Sequence, residues 1–169
     1  MPPLIWGAGT GVFHRVSHQI PELIQNAVQS SQLEYIPPGT STLGHVHVTD
    51  LAALFKVVLI NAINNPSLPA GRRGYFFANT GCHSWLEVAR RLAKAGHALG
   101  HLKSPWPVGV SLTEIAAKLY NGDEVKAERV YAYSSSTVAV RGFELGWTPV
   151  KTEENWESYA AEAFETTVE

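Results

Sequence analysis

A chain of 169 residues that is 45% apolar and 17% charged has the composition of one globular domain with a core of its own, which excludes a disordered chain. Thirteen basic residues against fifteen acidic ones give a net charge near -2 with no Lys/Arg run, which excludes a surface built to neutralise phosphates and so nucleic acid as a partner. Residues 51–63, the most apolar stretch, are broken by Lys56 and Asn61 and fall short of the ~20 residues of a bilayer span, while Cys82 stands alone and Met1-Pro2-Pro3 opens no secretion signal, so a cytoplasmic protein is expected.

In chain order, residues 3–6 read as a short buried strand that runs directly into the glycine turn Gly7-Ala8-Gly9-Thr10-Gly11, so the chain is read as beginning in mid-motif. Ile20, Leu23, Ile24, Ala27 and Val28 fall at helical spacing and predict a helix with Pro21 tolerated in its first turn. Strands are predicted at 33–36, closed by Pro37-Pro38-Gly39, and at the alternating His45-Val46-His47-Val48. Asp50 is expected to cap a helix from Leu51 to about Asn61 by accepting a first-turn amide. Because LAALFKVVLINAI is apolar nearly all round, that helix is expected to be covered on both sides. After the proline- and glycine-rich loop 64–74, Tyr75-Phe76-Phe77-Ala78 reads as a buried strand.

Ser84-Trp85-Leu86-Glu87 and Ser111-Leu112-Thr113-Glu114 are capping boxes, in which the hydroxyl and the carboxylate each satisfy a backbone amide. The first opens a helix that buries Trp85, Val88, Ala89 and Leu92 and leaves Glu87, Arg90, Arg91 and Lys94 in water; the second precedes Ile115, Ala116 and Leu119. Residues 96–107 read as a flexible connection, and 137–145 as a helix stopped by Gly146 ahead of Trp147-Thr148-Pro149. The last helix carries the stripe Trp156, Tyr159, Ala160, Ala163 and Phe164, with Glu153, Glu154, Glu157, Glu162 and Glu165 largely off it. The sum is a single α/β domain over 1–169, four short strands with about five helices, which is more helix than so small a sheet requires.

Chemistry is sparse in this pattern. Glycines at 7, 9 and 11 do not match the dinucleotide spacing, and the loop is better read as lining a substrate pocket at a strand's carboxyl end. His45 and His47 share one strand face and can share a metal or a proton, but zinc needs a third ligand, so no metal is assigned. Cys82-His83 is read as a loop ahead of the Ser84 cap, because adjacent residues rarely face one another as nucleophile and base. With no G-x-S-x-G elbow either, no residue is assigned a catalytic role.

The segments PPLIWGAGTG, HQIPELIQNAV, EYIPPGTSTLGHVHVTDLAALF, GYFFANTGCHSWLEVARRLAKAG and STVAVRGFELGWTPVKT, in that order, resemble the carboxyl-terminal half of NAD(P)-dependent epimerase/dehydratase-like proteins, the extended and atypical branch of the short-chain dehydrogenase/reductases. VHVTDLA and FELGWTP are the most specific of them. The resemblance implies a partial Rossmann-like, NAD(P)-binding fold made of the carboxyl-terminal strands plus a helical substrate domain, with the amino-terminal dinucleotide-binding part absent. It places Pro3, Leu4 and Ile5 beside the nicotinamide, and lines the substrate cleft with Trp6, Gly7, Phe13, Gln19, His45 and His47.

The Tyr-x-x-x-Lys catalytic pair of such proteins is missing, since none of the six tyrosines has a lysine four residues on. Sugar-nucleotide epimerases carry an Arg-Asp pair where this chain has Leu43-Gly44, which points instead to a small aldehyde, ketone or natural-product intermediate. The expectation is therefore a partial oxidoreductase or epimerase that by itself binds no NAD(P). A shortened binding module or pseudoenzyme paired with a full-length relative is the alternative, followed by a stand-alone catalyst using His45 or His47. An apolar sheet edge and helix faces left uncovered predict self-association.

Overall fold

Strand alternation divides the interior into two cores. In the computed structural model, which describes residues 1–151 and 153–168, Leu4 and Trp6 of strand β1 (Leu4–Trp6) enter the larger core and Ile5 packs against the smaller one. Thr152, the last residue of the STVAVRGFELGWTPVKT segment, and Glu169 lie outside the described residues. Strand β3 (Thr42–His47) repeats the division, with Leu43 on the larger side and Val46 on the smaller.

β1 runs parallel to β3, with Leu4 opposite His45 and Trp6 opposite His47. The crossover this parallel pairing demands is supplied by helix α1 (Gln19–Ser30) and strand β2 (Glu34–Tyr35). β3 also pairs antiparallel with β4 (Gly81–Ser84), giving the order β1-β3-β4, while β2 and β5 (Val108–Gly109) form a separate parallel pair. The helices that follow are α2 (Val48–Asn64), α3 (Trp85–Ala98), α4 (Leu112–Leu119), α5 (Glu124–Tyr131), α6 (Val140–Glu144) and α7 (Glu153–Val168). Trp85, Trp156, Tyr159 and Phe164 fill the larger core between α1, α3 and α7, and Trp147 fills the smaller one beneath α2.

Both capping boxes form as the sequence predicts, and all five residues of the α7 stripe are buried. Gly96 lies inside α3, where an added methyl would meet Phe164 and stand 2.7 Å from Leu102 Cδ1, so this glycine brings α3 and α7 into close approach and is no part of a flexible connection.

Several expectations are corrected. α2 starts at Val48, and its cap is His47, whose Nδ1 accepts the Thr49 amide at 3.1 Å. Asp50 is instead buried in the first turn, and its carboxylate accepts the amides of Val150 and Lys151 at 3.0 Å each. α2 is covered on one side only: Leu51 and Leu54 are buried, whereas Phe55 is 66% exposed and Leu59, Ile60 and Ile63 are also exposed. Residues 75–78 form no strand. Among the described residues their backbone bonds to Met1, whose amino group donates to the Phe76 carbonyl and whose carbonyl accepts from Ala78, and to the Arg141 guanidinium, which donates to the Tyr75 carbonyl at 3.3 Å; these partners make no ladder, and Tyr75 is exposed. α5, β4 and β5 are additional elements: Cys82 and His83, expected in a loop ahead of the Ser84 cap, instead pair with Gly44 and Leu43 of β3, and the helix expected over 137–145 shrinks to α6. Asp123 caps α5 by accepting the Lys126 amide at 2.9 Å, directly after the left-handed Asn121-Gly122 turn.

Candidate functional site

The parallel pair β1–β3 delivers two carboxyl ends side by side, at Trp6–Gly7 and His47–Val48. In open α/β sheets such ends border the ligand crevice. Gly7 turns the chain there with φ +86°, a conformation that side chains rarely adopt, and an added Cβ would collide with the His47 ring. Beyond this turn the Gly9 amide donates to the Arg15 carbonyl at 2.6 Å and Arg15 Nε donates to the Gly9 carbonyl at 3.1 Å, which folds the glycine loop back on itself.

The result is a cavity of about 340 Å³. Pro3, Leu4, Ile5, Gly7 and Gln19 come together in its wall, with residues 14–18 and Val48 completing it. Gln19 is held by a hydrogen bond from its Nε2 to the Arg129 carbonyl at 3.3 Å. The other residues assigned to a cleft lie elsewhere. Trp6 is buried in the larger core, edge-on to His47 at 4.6 Å and to Trp156 at 5.2 Å between ring centroids. Phe13 is 82% exposed and is not part of the cavity wall. His47 stands directly behind Gly7, its Nδ1 2.7 Å from Thr49 Oγ1, and His45 lies deeper, stacked on His83 at 4.6 Å and on Trp156 at 4.8 Å.

His14, Arg15, Val16, Ser17, His18 and Val48 line the cavity without having been singled out by sequence. The signal available was the polar run His14-Arg15-Val16-Ser17-His18 between a glycine turn and a helix, which on chemistry alone is indistinguishable from any exposed loop. Arg15 gives the wall a permanent cation, and no carboxylate belongs to it. The cavity therefore suits a small polar or anionic molecule.

The histidines behind it are held neutral. Burial, reinforced by the neighbouring His83 and partly opposed by Glu153, lowers His45 to about 4, and burial also pulls down His47 and His83. Burial raises the Tyr159 hydroxyl.

No protein-family model matches the sequence. Among curated proteins, the oxidase ucsJ of an Acremonium species is 26% identical over 103 residues, covering 56% of this chain and 30% of that protein. Among solved structures, the NAD-dependent NDP-hexosamine 5,6-dehydratase TunA of tunicamycin biosynthesis superposes with a TM-score of 0.55 at 11% identity, over 97% of this chain and 44% of its own. The UDP-glucuronic acid 4-epimerase of Bacillus cereus, in complex with UDP-glucuronic acid and NAD, gives 0.56 at 10% identity over 97% and 43%. The UDP-glucose 4-epimerase of Thermotoga maritima gives 0.56 at 15% identity over 99% and 45%.

The chain thus has the α/β fold of part of these epimerases and this dehydratase, as its motifs implied. It spans less than half the length of these structures and less than a third of the curated oxidase. Among the described residues, no helix is long and apolar enough to cross a membrane.

A pH dependence follows from the buried imidazoles. His45, faced by His83, Glu153 and Arg91, binds its proton more weakly folded than unfolded, so the unfolded chain takes up protons first as pH drops. Stability is fully present above the ordinary imidazole value of 6.5 and declines as pH falls toward about 4. Urea midpoints should therefore drop between pH 7.5 and pH 4.5, and the drop should be shallower in His45→Gln. An equal slope in both proteins would contradict this account.

Proposed function

We propose that these residues form the substrate-side half of an NAD(P)-dependent oxidoreductase or epimerase, and that the cavity at the end of β1 receives a small carbonyl or hydroxyl compound. The observation that carries this reading is the cavity's place at the carboxyl ends of two parallel strands, where Pro3, Leu4 and Ile5 meet Gly7 and Gln19. Residues 3–5, which line the cavity, are where the family likeness places the nicotinamide. A pyrophosphate cradle is not supported by the same loop, because α1 starts only at Gln19 and the glycine turn does not lead into a helix amino terminus. Phosphate binding and the proton-transfer pair are therefore assigned to the part of such proteins that this sequence does not contain.

The small substrate is favoured by position 44. Where sugar-nucleotide epimerases are expected to carry aspartate, Gly44 leaves room that Asn79 fills, its Oδ1 accepting the His45 amide at 3.1 Å and its Nδ2 donating to the Thr137 carbonyl at 2.7 Å. Titration calorimetry with NAD(H) and NADP(H) should show no micromolar binding by the isolated chain, and micromolar binding would sink the division of labour proposed here. In ¹⁵N–¹H spectra recorded against a set of small aldehydes, ketones and alcohols, binders should shift Ile5, Gly7 and Gln19. Hits that cluster elsewhere on the molecule would remove the cavity from consideration.

The exposed face of α2 is assigned to a second copy of the chain. Phe55, Leu59 and Ile63 form an apolar row beside a second cavity of about 170 Å³ lined in part by Leu54, Val58 and Phe76. Light scattering after size exclusion should show an association that weakens at least tenfold in Phe55→Glu/Leu59→Glu. A strictly monomeric wild type would overturn the assignment.

A further inference from the structure

We propose that His45, His83 and Glu153 bind a divalent transition-metal ion, with zinc as the reference ion, and that the ion ties the β3–β4 pair to the start of α7. The sheet register brings the imidazoles together. Leu43 faces His83 and His45 faces Gly81, so the two histidines are diagonal neighbours on one face of an antiparallel pair. Gly81 keeps the place open, because a methyl there would lie 2.7 Å from His45 Nε2. The rings lie parallel to within 4° with centroids 4.6 Å apart, and Trp156 stacks on both. Glu153 precedes Trp156 by one helical turn, which puts its Oε2 3.2 Å from His83 Nε2.

Burial makes this cluster unusual. His45 is 5% exposed and His83 7%, yet among the described residues both ring nitrogens of His45 have no hydrogen-bond partner, and the Nε2 of His83 meets only the Glu153 carboxylate. Buried polar atoms left in that condition cost about 1–3 kcal/mol each, and native structures rarely leave several together. An ion accepting one lone pair from each imidazole removes part of that cost. The three donor atoms already lie within 4.8 Å of one another. Ligand atoms around a tetrahedral zinc sit about 3.3 Å apart, so closure needs side-chain movements of about 1 Å. Glu153, which is 53% exposed on α7, has the freedom to make them, and its side opens the site to solvent.

Two imidazole nitrogens and one carboxylate oxygen select zinc, cobalt or nickel over magnesium or calcium, with water in the fourth position. Arg91 acts as the outer partner: its Nη2 holds Glu153 Oε1 at 2.8 Å and leaves Oε2 turned toward His83. The role is structural, since the ion would join elements separated by 108 positions, from His45 to Glu153, and it is independent of what the cavity at β1 accepts.

The test uses the full chain freed of metal by chelation and then titrated with Co²⁺. One equivalent should develop the visible absorption of four- or five-coordinate cobalt, Zn²⁺ should bleach it, and one equivalent of Zn²⁺ should raise the melting temperature. Glu153→Gln, at a half-exposed position that leaves folding intact, and His83→Gln should each weaken binding at least tenfold, whereas His97→Gln should bind as wild type does. The absence of a one-to-one cobalt spectrum overturns the proposal. So does affinity that is unchanged in Glu153→Gln and His83→Gln, or that depends on His97.

Discussion

The Asp50 carboxylate is the constraint on which the rest of the arrangement depends. It takes the amides of Val150 and Lys151, while its own backbone carbonyl takes the indole N–H of Trp147 at 2.8 Å, so one residue holds a segment about a hundred positions away. Closing a loop of that length costs about 4–5 kcal/mol. Two hydrogen bonds to a charged acceptor, at about 1.5–3 kcal/mol each, are of the same size, and burial of Trp147 adds to them. Three residues before Asp50, His47 ends β3 and stands behind the cavity turn at Gly7; two residues after Lys151, Glu153 opens α7. The lock therefore sets both the cavity wall and the histidine–carboxylate cluster.

These two features occupy different sides of one small sheet region. At its carboxyl end, the β1–β3 pair presents backbone and small side chains to an open cavity, the geometry expected of a ligand crevice. Along the strands, the odd-numbered residues of β3 face the larger core, where Trp6, His45, His47, His83 and Trp156 make a dense ring cluster. His47 joins the layers, since one of its faces meets the Gly7 turn and another meets Trp6. Tyr159 is a second link, since it hydrogen-bonds the Gly7 backbone while its ring packs on Trp6 and Trp156.

What the sequence made legible was local or strictly periodic. The capping boxes at Ser84 and Ser111, the α7 stripe and the shared face of His45 and His47 each depend on residues within a few positions, and each appears in the fold. Asp50 looked like a helix cap because the residues it serves lie a hundred positions downstream. Tyr75 to Ala78 had the composition of a buried strand, but composition cannot supply a neighbouring strand. The apolar circumference of α2 foretold a covering on both sides that the described residues provide on only one. Trp6 and Phe13 were placed in a cleft by family likeness, yet strand alternation turns Trp6 into the core and the loop carries Phe13 into solvent. The meeting of His83 and Glu153 with His45 depends on sheet register and on the approach of α7, neither of which a single sequence displays.

The most direct test of this organisation is the ¹⁵N–¹H spectrum of Asp50→Asn, an isosteric change that leaves one acceptor where two amides converge. If Asp50 sets both regions, amide shifts will extend from Trp147–Lys151 to Gly7 and His47 on one side and to Glu153 and Trp156 on the other. Shifts confined to the immediate neighbours of residues 50 and 150 would contradict the account, and the cavity and the histidine cluster would then have to be held by their own local packing.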